Sequence, residues 1–149
     1  MLVKYAMEKE PLRVLSTASL RTILEGVLET NQDAAMVVDG AGNLLGLIGI
    51  HDILRRIVPS YLDLDSNLAQ VMHESYFDDV FAKLAKVTAA DLMRKGDALD
   101  SVSPDDAVIK AAAIFVELRR KILPVVEGSR LVGVVTRRSV LRRALAKLG

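Results

Sequence analysis

Two stretches of the chain carry the same apolar rhythm. In the first, Leu20, Ile23, Leu24, Val27 and Leu28 fall at i, i+3, i+4, i+7 and i+8, the spacing of one apolar stripe along a helix. Val108, Ala111, Ala112, Phe115 and Val116 repeat those five steps in the second. Turn-forming residues precede each stripe, Ser16-Thr17-Ala18-Ser19 and Ser103-Pro104-Asp105-Asp106. A serine N-cap followed by proline and acids in the first turn satisfies the orphan amides and the positive end of the helix dipole. Behind each helix comes a β-prone run, Ala34–Val38 or Ile122–Val126, then a glycine-bearing turn and a second apolar run, Leu44–Ile50 or Leu131–Val135. Each pair of runs predicts a β-hairpin. A closing helix follows in both places, where Ile53, Leu54, Ile57 and Val58 match Val140, Leu141, Ala144 and Leu145 in phase.

The two stretches are copies of one unit. Shifting the chain by 88 positions lays Leu15–Asp39 on Ser103–Glu127 without a gap. The second hairpin turn is one residue shorter, so the offset then becomes 87, and Gly46 falls on Gly133 and Leu54-Arg55-Arg56 on Leu141-Arg142-Arg143. The predicted unit is strand–helix–strand–strand–helix, used twice, and such a repeat decides the whole architecture. The expected division is a first repeat over 1–58, an insert over 59–87 and a second repeat over 88–149, together one integrated module. The insert reads as loop and then helix from about Ser66, and it holds four of the six aromatic residues, Tyr61, Tyr76, Phe77 and Phe81. Aromatics bury large areas, so the insert is expected to cover the module's own core or to meet a partner.

Composition narrows the function. The chain has 149 residues, 51% hydrophobic and 26% charged, a globular balance with room for one compact core. Twenty basic residues against 19 acidic leave a formal charge of +1, too little to recruit nucleic acid or a membrane by field alone. The sign is uneven: Arg137, Arg138, Arg142, Arg143 and Lys147 crowd the last turns, while 59–86 leans acidic. There is no cysteine, hence no disulfide, thiolate chemistry or cysteine-ligated metal. His51 and His73 stand without nearby acids in ligand spacing, so no metal site is expected. No nucleophile–base pattern can be assembled, so no catalytic residues are assigned and the chain is not read as an enzyme. No apolar run nears the roughly 18 residues of a membrane span, and Met1-Leu2-Val3-Lys4-Tyr5 lacks the apolar region of a signal peptide. The expectation is a cytoplasmic protein.

Three groups of segments, taken in order, carry a family resemblance. In the second copy they are Ala90-Asp91-Leu92-Met93 leading into Val102-Ser103-Pro104-Asp105-Asp106, then Leu123-Pro124-Val125-Val126-Glu127, then Leu131-Val132-Gly133-Val134-Val135-Thr136-Arg137. In the first they are Val3-Lys4-Tyr5-Ala6-Met7, Met36-Val37-Val38-Asp39 and Leu45-Gly46-Leu47-Ile48-Gly49-Ile50-His51-Asp52. This order resembles the CBS domain, a repeat named after cystathionine beta-synthase that occurs in tandem pairs in regulated proteins. The resemblance covers nearly the whole chain outside 59–87. It implies an α/β (α+β) fold of two β-α-β-β-α repeats related by a pseudo-twofold axis, with a helical insert and two clefts between the repeats. It further implies a regulatory, ligand-sensing role: such pairs bind adenosine-containing ligands in the clefts and dimerise through their closing helices.

In that family a glycine-hydrophobic-x-Ser/Thr-x-x-Asp motif follows the second hairpin strand, its hydroxyl and carboxylate bonding the ligand. An ionised carboxylate can accept from both hydroxyls of a ribose. Here the first copy, Gly46 to Asp52, keeps the acid without the hydroxyl, and the second, Gly133 to Ser139, keeps the hydroxyl without the acid. The resemblance thus implies a favoured cleft combining Asp52 and Leu47 with Ser103, Val108, Arg120 and Lys121, a ribose acceptor facing two phosphate-complementing cations. The weaker cleft combines Thr136 and Val134 with Leu15, Leu20, Gln32 and Asp33, where Asp33 opposes a phosphate. Both hydrogen-bonding groups have a second reading: Asp52 also suits the cap of the helix beginning near Ile53, and Thr136 the entry to the last helix.

No cofactor is required on this reading; the expected ligand is AMP, ADP, ATP or S-adenosylmethionine, with an unknown regulated protein as partner. The competing reading, from the incomplete motifs, is a ligand-free dimerisation or protein-interaction scaffold. Nucleic-acid binding through the arginine-rich last helix is a third, opposed by the near-neutral charge and the lack of a nucleic-acid motif. A homodimer through the apolar stripes of 53–58 and 140–148 is expected on either of the first two readings.

Overall fold

The computed structural model describes residues 1–59 and 66–149; Tyr61 lies outside them. The first repeat runs β1 (Arg13–Leu15), α2 (Leu20–Thr30), β2 (Ala34–Val38), β3 (Leu44–Gly49) and α3 (Ile50–Ile57), preceded by the four-residue helix α1 (Val3–Ala6). The second runs α6 (Val108–Glu117), β4 (Ile122–Glu127), β5 (Arg130–Thr136) and α7 (Arg137–Ala146), preceded by the four-residue α5 (Ala89–Leu92). Between them lie a 3-10 turn, Ser66–Val71, and α4, Tyr76–Leu84, so the insert is two short pieces where one helix from Ser66 was expected.

Both hairpins are antiparallel, with register shifts at the equivalent places, Val37/Val38 and Val125/Val126. β1 pairs parallel to β2. The opening strand of the second repeat, by contrast, shrinks to one residue, Val102, bridged parallel to Val125. The helix starts differ as well. Ser19 caps α2, its hydroxyl accepting from the Thr22 N–H at 3.1 Å. Ser103 does not cap α6: Asp106 takes the Ser103 N–H at 2.8 Å, closing a turn, and the helix begins only at Val108. That N–H bond, with Lys110 beside it, holds the Asp106 carboxyl below its ordinary pKa.

Apolar alternation along β2 builds two faces. Ala35 and Val37 join Leu20, Ile23, Val27 and Ile48 in the core of the first repeat. Ala34, Met36 and Val38 turn the other way and meet Leu47, Ile122, Leu131 and Val134 in a cluster shared by the two hairpins. Leu123, Val125 and Val135 form the second repeat's core with Ala111 and Phe115. The insert covers the first core: Leu84 is buried in it, and Val80, Phe81 and Val87 pack against it, while Phe77 stacks on Phe81 at 5.9 Å and stays half exposed.

The repeats are tied by a reciprocal exchange of their leading segments. Val3 and Ala6 of α1 are buried in the second repeat's core, and Ala89 and Leu92 of α5 in the first's. The first amides of each arm helix, which like those of any helix have no acceptor within it, donate to the loop before the opposite long helix. Val3 and Lys4 donate to Asp106 and Pro104 at 2.8 and 2.9 Å; Ala89 and Ala90 donate to Ala18 and Ser16, both at 2.9 Å. Each arm then pairs with a hairpin strand, Glu8 with Val134 (2.7 and 2.9 Å) and Arg94 with Leu47 (2.9 and 3.0 Å). This close pairing explains the glycine shared by the two copies. A Cβ on Gly46 would stand 2.6 Å from the Arg94 carbonyl oxygen, and one on Gly133 2.6 Å from that of Glu8.

Gly133→Ala therefore forces arm and hairpin apart, and we expect it to cost about 1–3 kcal/mol, the range of overpacked sites. Urea unfolding should show a lower midpoint; an unchanged midpoint would count against the arm pairing as a constraint.

Candidate functional site

The larger of two cavities between the repeats, about 480 Å³, opens where β3 passes into α3. That volume is in the range of small-molecule sites. On one wall the chain leaves β3 through Gly49, which occupies the N-cap of α3 without a side chain to offer. Asp52, three residues on, reaches back so that its Oδ2 accepts the Gly49 N–H at 2.9 Å. The same oxygen lies 3.2 Å from Arg94 Nε on the arm. This is a charge contact with an angle too poor for a hydrogen bond, so the buried Arg94 N–H has no hydrogen-bond partner. Oδ1 of Asp52 has no hydrogen-bond partner among the described residues. The opposite wall is the turn between α6 and β4. Arg119 adopts a left-handed conformation there, φ 54°, and Arg120 Nε donates to Asp100 Oδ2 at 2.9 Å. Lys121 follows, its ammonium without an ion pair among the described residues.

The smaller cavity, about 230 Å³, is lined by Val134, Thr136, Gln32 and Asp33 with Glu8, Arg137, Arg138 and Arg142. Thr136 is the N-cap of α7: its Oγ1 accepts the Ser139 N–H at 2.9 Å, and Ser139 Oγ accepts the Thr136 N–H at 2.9 Å. Ser139, buried here, takes the place Asp52 has in the first repeat. Gln32 spends its amide on the backbone, accepting from Leu12 N–H at 2.9 Å and donating to the Glu10 carbonyl at 3.2 Å.

Of the expected residues, Asp52, Leu47, Arg120 and Lys121 meet around the larger cavity, and Thr136, Val134, Gln32 and Asp33 around the smaller. Four belong to neither lining. Ser103 lies in the turn closed by Asp106, and the Val108 N–H donates to the Met1 carbonyl of the first arm at 2.8 Å. Leu20 is buried in the first core and Leu15 is exposed. Asp33 and Lys121, each expected in one cleft, line both. Sequence reasoning passed over Arg94 and Arg119. Arg94 reaches the cavity only because the arms cross, and nothing in its local sequence signals that; Arg119 adjoins the expected pair Arg120 and Lys121 in the same pre-strand run. The last-helix arginines stay exposed, although Arg142 Nη1 meets Glu8 Oε1 at 3.4 Å; on α3, Arg56 donates to the Asp91 carbonyl at 2.7 Å.

Among the described residues no His, Asp and Glu side chains group to hold a metal ion, and no helix is long and apolar enough to cross a membrane.

Comparisons with known proteins bear on this architecture. A search of curated proteins finds no significant match. Among solved structures, a CBS domain-containing protein from Kribbella flavida is 30% identical, with 97% of this chain and 99% of that one covered and a TM-score of 0.68. CBSX2 in complex with AMP is 24% identical, with 99% and 98% covered and a TM-score of 0.74. The CBS domain pair of MJ0100, in complex with 5′-methylthioadenosine and S-adenosyl-L-methionine, is also 24% identical over 99% and 98%, with a TM-score of 0.71. The family model for the CBS domain matches twice, over residues 3–59 and 89–146. With two matched repeats, crossed arms and paired clefts, the chain belongs to the CBS domain family.

Proposed function

We propose that this CBS pair is a regulatory module that binds an adenosine-containing ligand, AMP, ADP, ATP or S-adenosylmethionine, in the larger cavity and thereby modulates a partner protein. The observation that carries the reading is one cavity with the Asp52 carboxylate on one wall and Arg119, Arg120 and Lys121 on the other. A ribose has its acceptor there and a phosphate its counter-charges. Structural neighbours crystallised with AMP, 5′-methylthioadenosine and S-adenosylmethionine support the ligand class. The proposal gives the chain no catalytic step, since occupancy alone, by stabilising one arrangement of the repeats, is enough to regulate a partner.

One observation favours the ligand-free scaffold as second reading. Asp52 Oδ2 already serves Gly49 and Arg94, so a ribose has to use Oδ1 or displace Arg94. Thermal unfolding with AMP, ADP, ATP and S-adenosylmethionine separates the two. A ligand at a hundredfold excess over its Kd stabilises the fold by about 2.7 kcal/mol, several degrees for a chain of this size. Asp52→Ala should weaken binding by about 1.5–3 kcal/mol and lower unliganded stability by about 1 kcal/mol through the lost cap. Asp52→Asn, which keeps an oxygen for Gly49 but removes the charge facing Arg94, should lose affinity while keeping the cap. Thr136→Ala should leave ligand affinity nearly intact. Melting curves unmoved by all four ligands at millimolar concentration would establish the scaffold instead.

The same proposal includes a homodimer through the closing helices. Leu54 and Val58 on α3, with Leu141, Leu145 and Leu148 at the chain's end, are exposed at i, i+4 and i+4, i+3 steps, a stripe on each helix. Light scattering at micromolar concentration should give a dimer mass; a monomer mass overturns this part.

A further inference from the structure

The pseudo-twofold axis sets three residues of one repeat against three of the other, and their charges do not match. Between helix and hairpin the first repeat has Asn31-Gln32-Asp33, and the second has Arg119-Arg120-Lys121. Both turns open on a left-handed residue: Asn31 and Arg119 are the two non-glycine residues with positive φ among the described residues, 55° and 54°. Glycine and asparagine tolerate that conformation, which is strained for arginine. Arginine therefore stands, against local preference, at a turn lining the larger cavity, and such strain is characteristic of functional positions.

The lining charges do not cancel. Arg94 is held by Asp52 at 3.2 Å and Arg120 by Asp100 at 2.9 Å. Arg119 and Lys121 have no acid partner among the described residues, and the one remaining acid of the lining is Asp33. Two uncompensated cations against one carboxylate give this cavity a positive wall. A phosphate placed there gains two charge-assisted donors, whereas a sulfonium meets two like charges.

We propose that the larger cavity selects its adenosine ligand by charge, accepting nucleosides that end in phosphate and rejecting those that carry a sulfonium, with Arg119 and Lys121 as the selecting residues. This rests on the sensor reading above and narrows its ligand class. Arg119 lines the larger cavity alone, whereas Lys121 lines both, so an Arg119 variant assigns the effect to one cavity.

Calorimetric titration of the full chain with AMP, adenosine, 5′-methylthioadenosine and S-adenosylmethionine, at low and high salt, tests it. AMP should bind about tenfold or more tightly than adenosine or 5′-methylthioadenosine, the worth of one charge-assisted bond. S-adenosylmethionine should bind more weakly than its uncharged relative, and added salt should erode the AMP preference. Arg119→Asn, which borrows the residue of the first repeat and suits the backbone, should unfold no earlier than the parent and lose about tenfold in AMP affinity, with adenosine affinity almost unchanged. Lys121→Gln should act in the same direction. Equal binding of AMP, adenosine and S-adenosylmethionine, or an AMP preference that survives both substitutions, overturns charge selection and leaves the sensor reading standing. Absence of binding by any of the four overturns both.

Discussion

The crossing of the two arms is the constraint on which the rest of this molecule depends. Each repeat lacks a piece of its own core, and the piece is supplied by the segment that precedes the other repeat's elements: Val3 and Ala6 on one side, Ala89 and Leu92 on the other. The exchange is closed by backbone hydrogen bonds at equivalent positions, which tie two small cores to one shared cluster. It also builds the site. The residue that pairs with each hairpin at the end of its arm, Arg94 or Glu8, becomes part of a cavity wall and meets a charge there, Asp52 or Arg142. A cleft in this fold is therefore never the property of one repeat.

Within that common backbone the two clefts have diverged by side chain. Where the second repeat caps its last helix with the reciprocal pair Thr136 and Ser139, the first has Gly49 and Asp52, and the carboxylate does the capping alone. The Ser139 hydroxyl is spent on Thr136, accepting its N–H and donating to its carbonyl. The Asp52 carboxylate caps with Oδ2 alone and has a second oxygen to present. The cations differ as well: Arg94, Arg119 and Arg120 line the larger cavity alone, Arg137, Arg138 and Arg142 the smaller alone, and Lys121 both.

Much of this was legible in the sequence, for identifiable reasons. Long amphipathic stripes and glycine-punctuated apolar runs located α2, α6, both hairpins and both closing helices, because burial on one face imposes a period. The offset that aligned Gly46 with Gly133 pointed to a shared requirement, which proves to be the approach of an arm. What failed was short or non-local. α1 and α5 have four residues each, too few for a period, so their exchange left no pattern. Val102 stands alone where a strand was expected, and Ser103 lies in a turn closed by Asp106 where a cap was expected. In the site, the motif positions Asp52 and Leu47 and the pre-strand pair Arg120 and Lys121 came together. Ser103 and Val108 did not: Ser103 is held in a turn by Asp106, and the Val108 N–H meets the first arm. Arg94 depended on the crossing itself.

The claim that the crossed arms make one cooperative body is tested most directly by hydrogen exchange on the full chain carrying Leu92→Ala. Leu92 is buried only in the first repeat's core, and its truncation should cost about 2–5 kcal/mol. If the repeats unfold as a unit, the amides of buried strand residues in both, Leu47 and Val37 in the first and Val134 and Val125 in the second, lose the same free energy of protection. Loss confined to the first repeat, with Val134 and Val125 as protected as in the parent, would contradict the account.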